Sequence, residues 1–248
     1  MKNLSSRFVR VSFGGRLVLL AALLSIMFAS ASWATLAGTT QVTAGNSVAV
    51  PFVSGAPQGT LVISQDVTFS YTPFGQPGSV TSGTVVEAVY REGGTLDFYY
   101  QIDNSAGSAS AINRETDFDF AGFTTYVGYL ETAGGPFATP TSAVSGVSGI
   151  PETADSSVAA GTTPAGATIG FNFNSPSTAN VVSPGSDSAI FVISTNATNW
   201  TYGSVSLIDG GTDTILGLQP IPEPSYSILL GGGLLLLAGL RRKFSARQ

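Results

Sequence analysis

The feature that most constrains this chain is a ten-residue alternation set directly behind a glycine turn. Gly83 to Arg91 (GTVVEAVYR) is followed by Glu92-Gly93-Gly94 and then by Thr95 to Asn104 (TLDFYYQIDN). In the second run Leu96, Phe98, Tyr100 and Ile102 alternate with Asp97, Tyr99, Gln101 and Asp103. A period of two sends successive side chains to opposite faces of a strand, which predicts a β-hairpin with the first set buried and the second wet. If Phe98 is core, Phe98→Ala should cost about 3–5 kcal/mol.

Further strands are expected at Leu61 to Tyr71, Thr116 to Phe120, Thr124 to Leu130, Ala167 to Phe173, Ser188 to Ser194 and Ser204 to Ile208. Ser188 to Ser194 is apolar on both faces, the pattern of a central strand. Gly, Pro, Asn and Asp punctuate these runs and no long helical period interrupts them, so residues 35–221 are expected to form an all-β domain, a β-sandwich of jelly-roll or Ig-like type. The 187 residues of this span are enough for a sizeable core, and one domain is favoured over two small sandwiches. Residues 132–166, dense in Gly, Ser, Thr and Pro, read as a long loop.

The span has no Cys, His or Lys. That excludes a disulfide framework, thiolate catalysis, a Ser-His-Asp triad, His/Cys zinc or haem sites and Schiff-base chemistry. Two arginines, Arg91 and Arg114, stand against 14 acids, a net charge of −12. Such a surface repels phosphate backbones, so nucleic acid is not an expected partner.

The ends carry the opposite charge. Lys2, Arg7, Arg10 and Arg16 precede an apolar run from Leu17 to Ala29, and Ser32-Trp33-Ala34 is a small-x-small site. Residues 1–34 therefore read as a signal peptide cut between Ala34 and Thr35, with Ala29-Ser30-Ala31 as a second small-x-small option, its helix engaging the secretion translocon and signal peptidase. At the other end Pro222-Glu223-Pro224 leads into an apolar stretch, Ser225 to Leu240, and then Arg241-Arg242-Lys243. As a helix, those apolar residues would rise about 24 Å against a hydrocarbon core of about 30 Å. Snorkelling of the flanking basic residues and local thinning make up the difference. The basic tail 241–248 is expected to stay in the cytoplasm, leaving residues 35–221 outside.

Together the tripeptide, the short Gly/Leu-rich span and the basic stop resemble the PEP-CTERM sorting signal, over about a tenth of the chain. The resemblance implies recognition by an exosortase, a membrane-embedded transpeptidase-like enzyme of bacteria that make exopolysaccharide. Pro222, Glu223 and Pro224 match the motif, 225–240 the transmembrane segment, and Arg241, Arg242 and Lys243 the stop. It further implies transient anchoring in the inner membrane, cleavage near the motif, and either release or re-attachment of the domain, at the cell surface or in a biofilm matrix.

Three carboxylates stand out within the middle. Glu115, Asp117 and Asp119 alternate, so on one strand they would share a face and could hold Ca²⁺. The plainer reading is a solvated face opposite Phe118 and Phe120. Tyr90, Tyr99, Tyr126, Tyr129, Tyr202 and Trp200 could form a sugar-stacking platform, or could pack as core. No catalytic residue is expected. The reading is a non-enzymatic surface or matrix protein, with a carboxylate-dependent glycan-active enzyme or a calcium/carbohydrate-binding module as alternatives.

Overall fold

The computed structural model describes residues 35–140, 149–158, 160, 164–174 and 180–221. The expected signal segment through Ala34, and the sorting segment with Pro222, Glu223, Pro224, Arg241, Arg242 and Lys243, lie outside the described residues. So do 141–148, 159 and 161–163 of the expected long loop.

The described chain is all-β. Thirteen strands build two antiparallel sheets. The first has the order β1-β7-β11-β5-β4-β3, with β10 (Ser186–Asp187) also pairing β5. Its strands are β1 (Thr40–Val42), β3 (Thr60–Tyr71), β4 (Thr81–Glu92), β5 (Thr95–Asn104), β7 (Thr125–Leu130) and β11 (Ile190–Thr195). The second sheet runs β13-β12-β6-β9-β8-β2. It comprises β2 (Ser47–Ala49), β6 (Arg114–Phe118), β8 (Thr153–Ser156), β9 (Thr168–Asn172), β12 (Trp200–Ile208) and β13 (Thr212–Pro220).

The expected hairpin forms as β4 and β5, in unbroken register from Gly83↔Asn104 to Glu92↔Thr95. Leu96, Phe98, Tyr100 and Ile102 are buried in a core that both sheets share, with Val85 and Val89 from β4 and Ile169, Phe171, Val205 and Leu207 from the second sheet. Phe98 has no exposed surface and meets Phe120 edge-on at 5.6 Å. The burial on which the Phe98→Ala cost rests is therefore present, and urea denaturation of that variant measures the cost. β11 is buried along its whole length, between β7 and β5.

The other face of β5 departs from expectation. Asp97, Tyr99 and Gln101 are buried, not wet. A second apolar cluster covers them, built from Leu36, Val53 and Phe137 of the connecting segments over Ala88, Tyr90, Tyr99, Ile190 and Val192. Alternation reports that two faces differ; it does not report that a distant loop will cover the second one.

The long-loop reading of 132–166 is also corrected. It contains β8, which bridges β2 and β9 and places Ala154 at zero exposure. Four residues with one small apolar side chain give no periodic signal. β13 follows a Gly-Gly turn that reads as an ending, yet it pairs with β12 at nine positions from Trp200↔Pro220 to Ile208↔Thr212.

Gly83 occupies a close approach. A Cβ there would lie 2.0 Å from the Asp103 carbonyl oxygen and 2.6 Å from the Phe69 ring. The backbone oxygen cannot rotate away, so Gly83→Ala should destabilise by about 3 kcal/mol or more, read from the denaturation midpoint. A change below about 1 kcal/mol would show that the β4–β5 ladder yields at this point.

Candidate functional site

β6 lies between β12 and β9, paired on both edges. Glu115 sits opposite Leu207 and Phe171, and Asp117 opposite Val205 and Ile169, all four of which are core side chains. Cross-strand partners share a face, so both carboxyls point into the core. Glu115 and Asp117 are 0% and 1% exposed. The strand ends at Phe118, and Asp119 takes φ 66°, the left-handed region, leaving its side chain in solvent. That reversal returns Phe120 to the core against Phe98. The structure therefore brings Glu115 and Asp117 together and leaves Asp119 apart. The solvated-face reading is corrected for the first two, because their partners on β9 and β12 are apolar.

A third acid joins them from the facing sheet. Glu87 on β4 lies in phase with Val85 and Val89 and has no exposed surface. Its Oε2 accepts the Leu218 N–H at 2.7 Å and the Gln65 Nε2 at 3.1 Å, while Oε1 has no partner. Tyr100, the cross-strand neighbour of Glu87, donates its hydroxyl to the Leu218 carbonyl at 3.1 Å. Both backbone groups of one residue on β13 are thus held by side chains of the opposite sheet. None of the four carboxyl oxygens of Glu115 and Asp117 has a hydrogen-bond partner of good geometry.

Burial disfavours the charged forms. It pushes Glu87 up to about 8, with the Asp117 charge adding to the effect. Burial and then Asp117 hold Glu115 well above the usual carboxyl range. Asp117 rises to about 7 by burial, opposed by hydrogen-bonding influence from Glu115 and Tyr100. Outside this cluster Asp97, beneath the outer apolar cover, is pushed up to about 7 by burial, with Ser194 opposing and Glu92 assisting. These acids store protons; they are closed to a hydrated cation or a glycan in this conformation.

Among the described residues no three acidic side chains are grouped to hold a metal ion. Because Glu115 and Asp117 point into the core while Asp119 stands apart in solvent, added Ca²⁺ should leave the melting temperature of the full chain unchanged. A rise abolished by Glu115→Gln with Asp117→Asn would instead establish calcium at these positions.

The exposed face of the second sheet carries the one ion pair found among the described residues. Arg114 Nη1 lies 2.5 Å and Nη2 2.8 Å from the two oxygens of Asp155, with Asn172 Oδ1 also accepting at 2.6 Å. Burial raises the Asp155 carboxyl, but the hydrogen bonds from Arg114 and Asn172 and the guanidinium charge outweigh it and the net shift is downward. Such a half-exposed pair orients β8 and β9 more than it stabilises them.

The six aromatic candidates do not form one platform. Tyr90 and Tyr99 pack edge-on at 5.3 Å inside the outer cluster. Tyr126 and Tyr129 lie half-buried on β7. Trp200 and Tyr202 meet edge-on at 5.5 Å, with Tyr202 52% exposed. Elsewhere a cleft of about 190 Å³ opens beside β1, its lining including Gln41, Thr43, Phe120, Phe123, Thr124 and Ser156. Hydroxyls, an amide and phenyl rings, with no charged side chain in the lining, make a neutral site on an acidic protein.

Comparison with protein-family models, with curated proteins and with solved structures finds no match.

Proposed function

We propose that this chain is an exported, non-enzymatic surface or matrix protein, its two sheets forming a β-sandwich, sorted and cut by an exosortase. The observation that carries the reading is where the folded part sits relative to the two address segments. β1 begins at Thr40, just past the Ala34–Thr35 junction, and β13 ends at Pro220, just short of Pro222. Cleavage at either address would remove none of the described strands. The partners are then the translocon, signal peptidase and exosortase, with the inner membrane before processing.

After release the domain would sit in an extracellular polysaccharide layer. The neutral, hydroxyl-lined cleft with the half-buried Phe123 in its wall has the size and chemistry of a single uncharged sugar ring, and supports a saccharide as the ligand class.

Intact-mass spectrometry of native protein from membrane, surface and medium fractions tests the sorting reading. A species starting near Thr35 and ending near Pro224 is the expected result. A species that retains Arg241 to Gln248 and occurs only in membranes would replace sorting with a tail anchor. Glu223→Ala should leave precursor in the membrane, whereas undiminished release removes Glu223 from recognition.

A further inference from the structure

The two sheets have four edges, and the chain treats one of them differently. β1 and β2 are three residues each, too short to template another strand. β13 has the backbone of Leu218 held by Glu87 and Tyr100. β3 is twelve residues long and forms the remaining edge.

Among the described residues, hydrogen bonds from another strand pair cover only the far end of β3. Ser70 N–H bonds Asp213 Oδ2 at 2.8 Å, and Phe74 N–H bonds the Gly210 carbonyl at 2.7 Å, both from the β12–β13 hairpin. The Ser70 N–H therefore points away from β4. Backbone groups alternate along an antiparallel strand, so those of Thr68, Asp66 and Ser64 point the same way, into solvent. A register shift between Leu61 and Ile63 ends this regular edge on the other side. Along it Ser64, Asp66 and Thr68 are exposed, and Asp66 is the single charge.

The sequence of the edge is symmetric in chemical character about Gln65. Ser64 mirrors Asp66 as polar residues and Ile63 mirrors Val67 as branched apolar ones, and the symmetric stretch ends at Ile63, where the register shifts. We infer that β3 is a self-pairing edge, joining two copies of this chain antiparallel across a twofold axis through Gln65. In that register Ser64 of each copy faces Asp66 of the other, so the two aspartates never oppose each other. Ile63 meets Val67 on the half-buried face. An isologous contact needs this self-complementarity, and a strand meant to stay unpaired would carry more charge.

The register makes the test specific. Ser64→Asp sets an aspartate opposite Asp66 twice per dimer, and Ser64→Lys sets a lysine there. Position 64 is exposed, so neither disturbs the fold. In sedimentation equilibrium of the full chain in mild detergent, Ser64→Asp should weaken dimerisation by about tenfold and Ser64→Lys should tighten it by a similar factor. The chain has no cysteine, so Gln65→Cys offers an independent reading. Facing copies of residue 65 would form a non-hydrogen-bonded pair with Cα atoms about 4.5 Å apart, within disulfide range. Mild oxidation should give a covalent dimer with Gln65→Cys and none with Thr68→Cys. An unaltered chain that stays monomeric, a dimer indifferent to charge at position 64, or equal cross-linking at 65 and 68 would each overturn the inference.

Discussion

Raising the pH from 5 to 9 should lower the melting temperature of this protein by about 10 °C or more. Most proteins lose stability in acid because paired carboxylates must be protonated. Here the sign is reversed. Glu87, Asp97, Glu115 and Asp117 all have folded-state values raised above those of an unfolded chain. Below about pH 4 they are neutral in both states and impose no penalty. As pH rises past about 4 the unfolded chain releases these protons while the folded chain keeps them, so stability falls progressively from there until Asp97 and Asp117 ionise at about 7 and Glu87 at about 8, and levels off above. Glu87 alone, moved from an ordinary 4.5 to about 8, accounts for about 4–5 kcal/mol at high pH, and a typical domain has only about 5–15 kcal/mol in total.

Glu87→Gln isolates this effect. The amide keeps an acceptor for the Leu218 N–H and cannot ionise. At pH 5 the variant should melt close to the unaltered protein, and at pH 9 it should melt higher. The groups facing Glu87 are Asp117 from β6, Gln65 from β3 and the Leu218 backbone from β13, so the residual slope belongs to Asp117, its neighbour Glu115, and Asp97. Melting temperatures that do not change between pH 5 and 9, or a Glu87→Gln slope equal to that of the unaltered chain, would defeat this account.

Why sequence reading reached the hairpin but not this cluster follows from the kind of signal each leaves. The β4–β5 pair is local: two alternating runs and a Gly-Gly turn specify it without help from the rest of the chain. β11 is legible because an uninterrupted apolar run needs cover on both faces. Glu115 and Asp117 also alternate, but which face is covered depends on Phe171 and Leu207, more than fifty residues away. A polar–apolar period alone assigns acids to water, and here that assignment fails. Glu87 did leave a trace, since it stands in phase with Val85 and Val89 in a run whose core face is otherwise apolar. An acid in phase with the core side of a strand is a local conflict, and such conflicts mark sites where stability has been traded for something else. β8 and β13 were missed for a different reason: one is too short for a period, and the other continues past a Gly-Gly turn that reads as an ending.

The largest single-residue effect is expected at Phe191. It lies on β11 of the first sheet, fully buried, with ring centroids 5.7 Å from Tyr100, 4.7 Å from Phe171 and 5.8 Å from Phe173. Two of those partners are on or beside β9, so Phe191 is where aromatic packing crosses between the sheets. The third, Tyr100, donates to the Leu218 carbonyl and stacks against Phe191. Phe191→Ala should therefore cost about 5 kcal/mol, the top of the range for such a truncation, while Phe98→Ala, whose one ring contact among the described residues is Phe120, should lie lower in it. Phe191→Leu, which keeps most of the volume, should cost less than about 2 kcal/mol. These differences are best measured by denaturant titration at pH 5, where the buried acids are neutral. At pH 9 the two burdens combine, so Phe191→Ala is expected to be folded in acid and unfolded in mild alkali at the same temperature. If Phe191→Ala instead loses no more than Phe98→Ala and shows no such pH threshold, the two sheets are not joined through this ring, and the Glu87–Tyr100 grip on β13 stands independently of it.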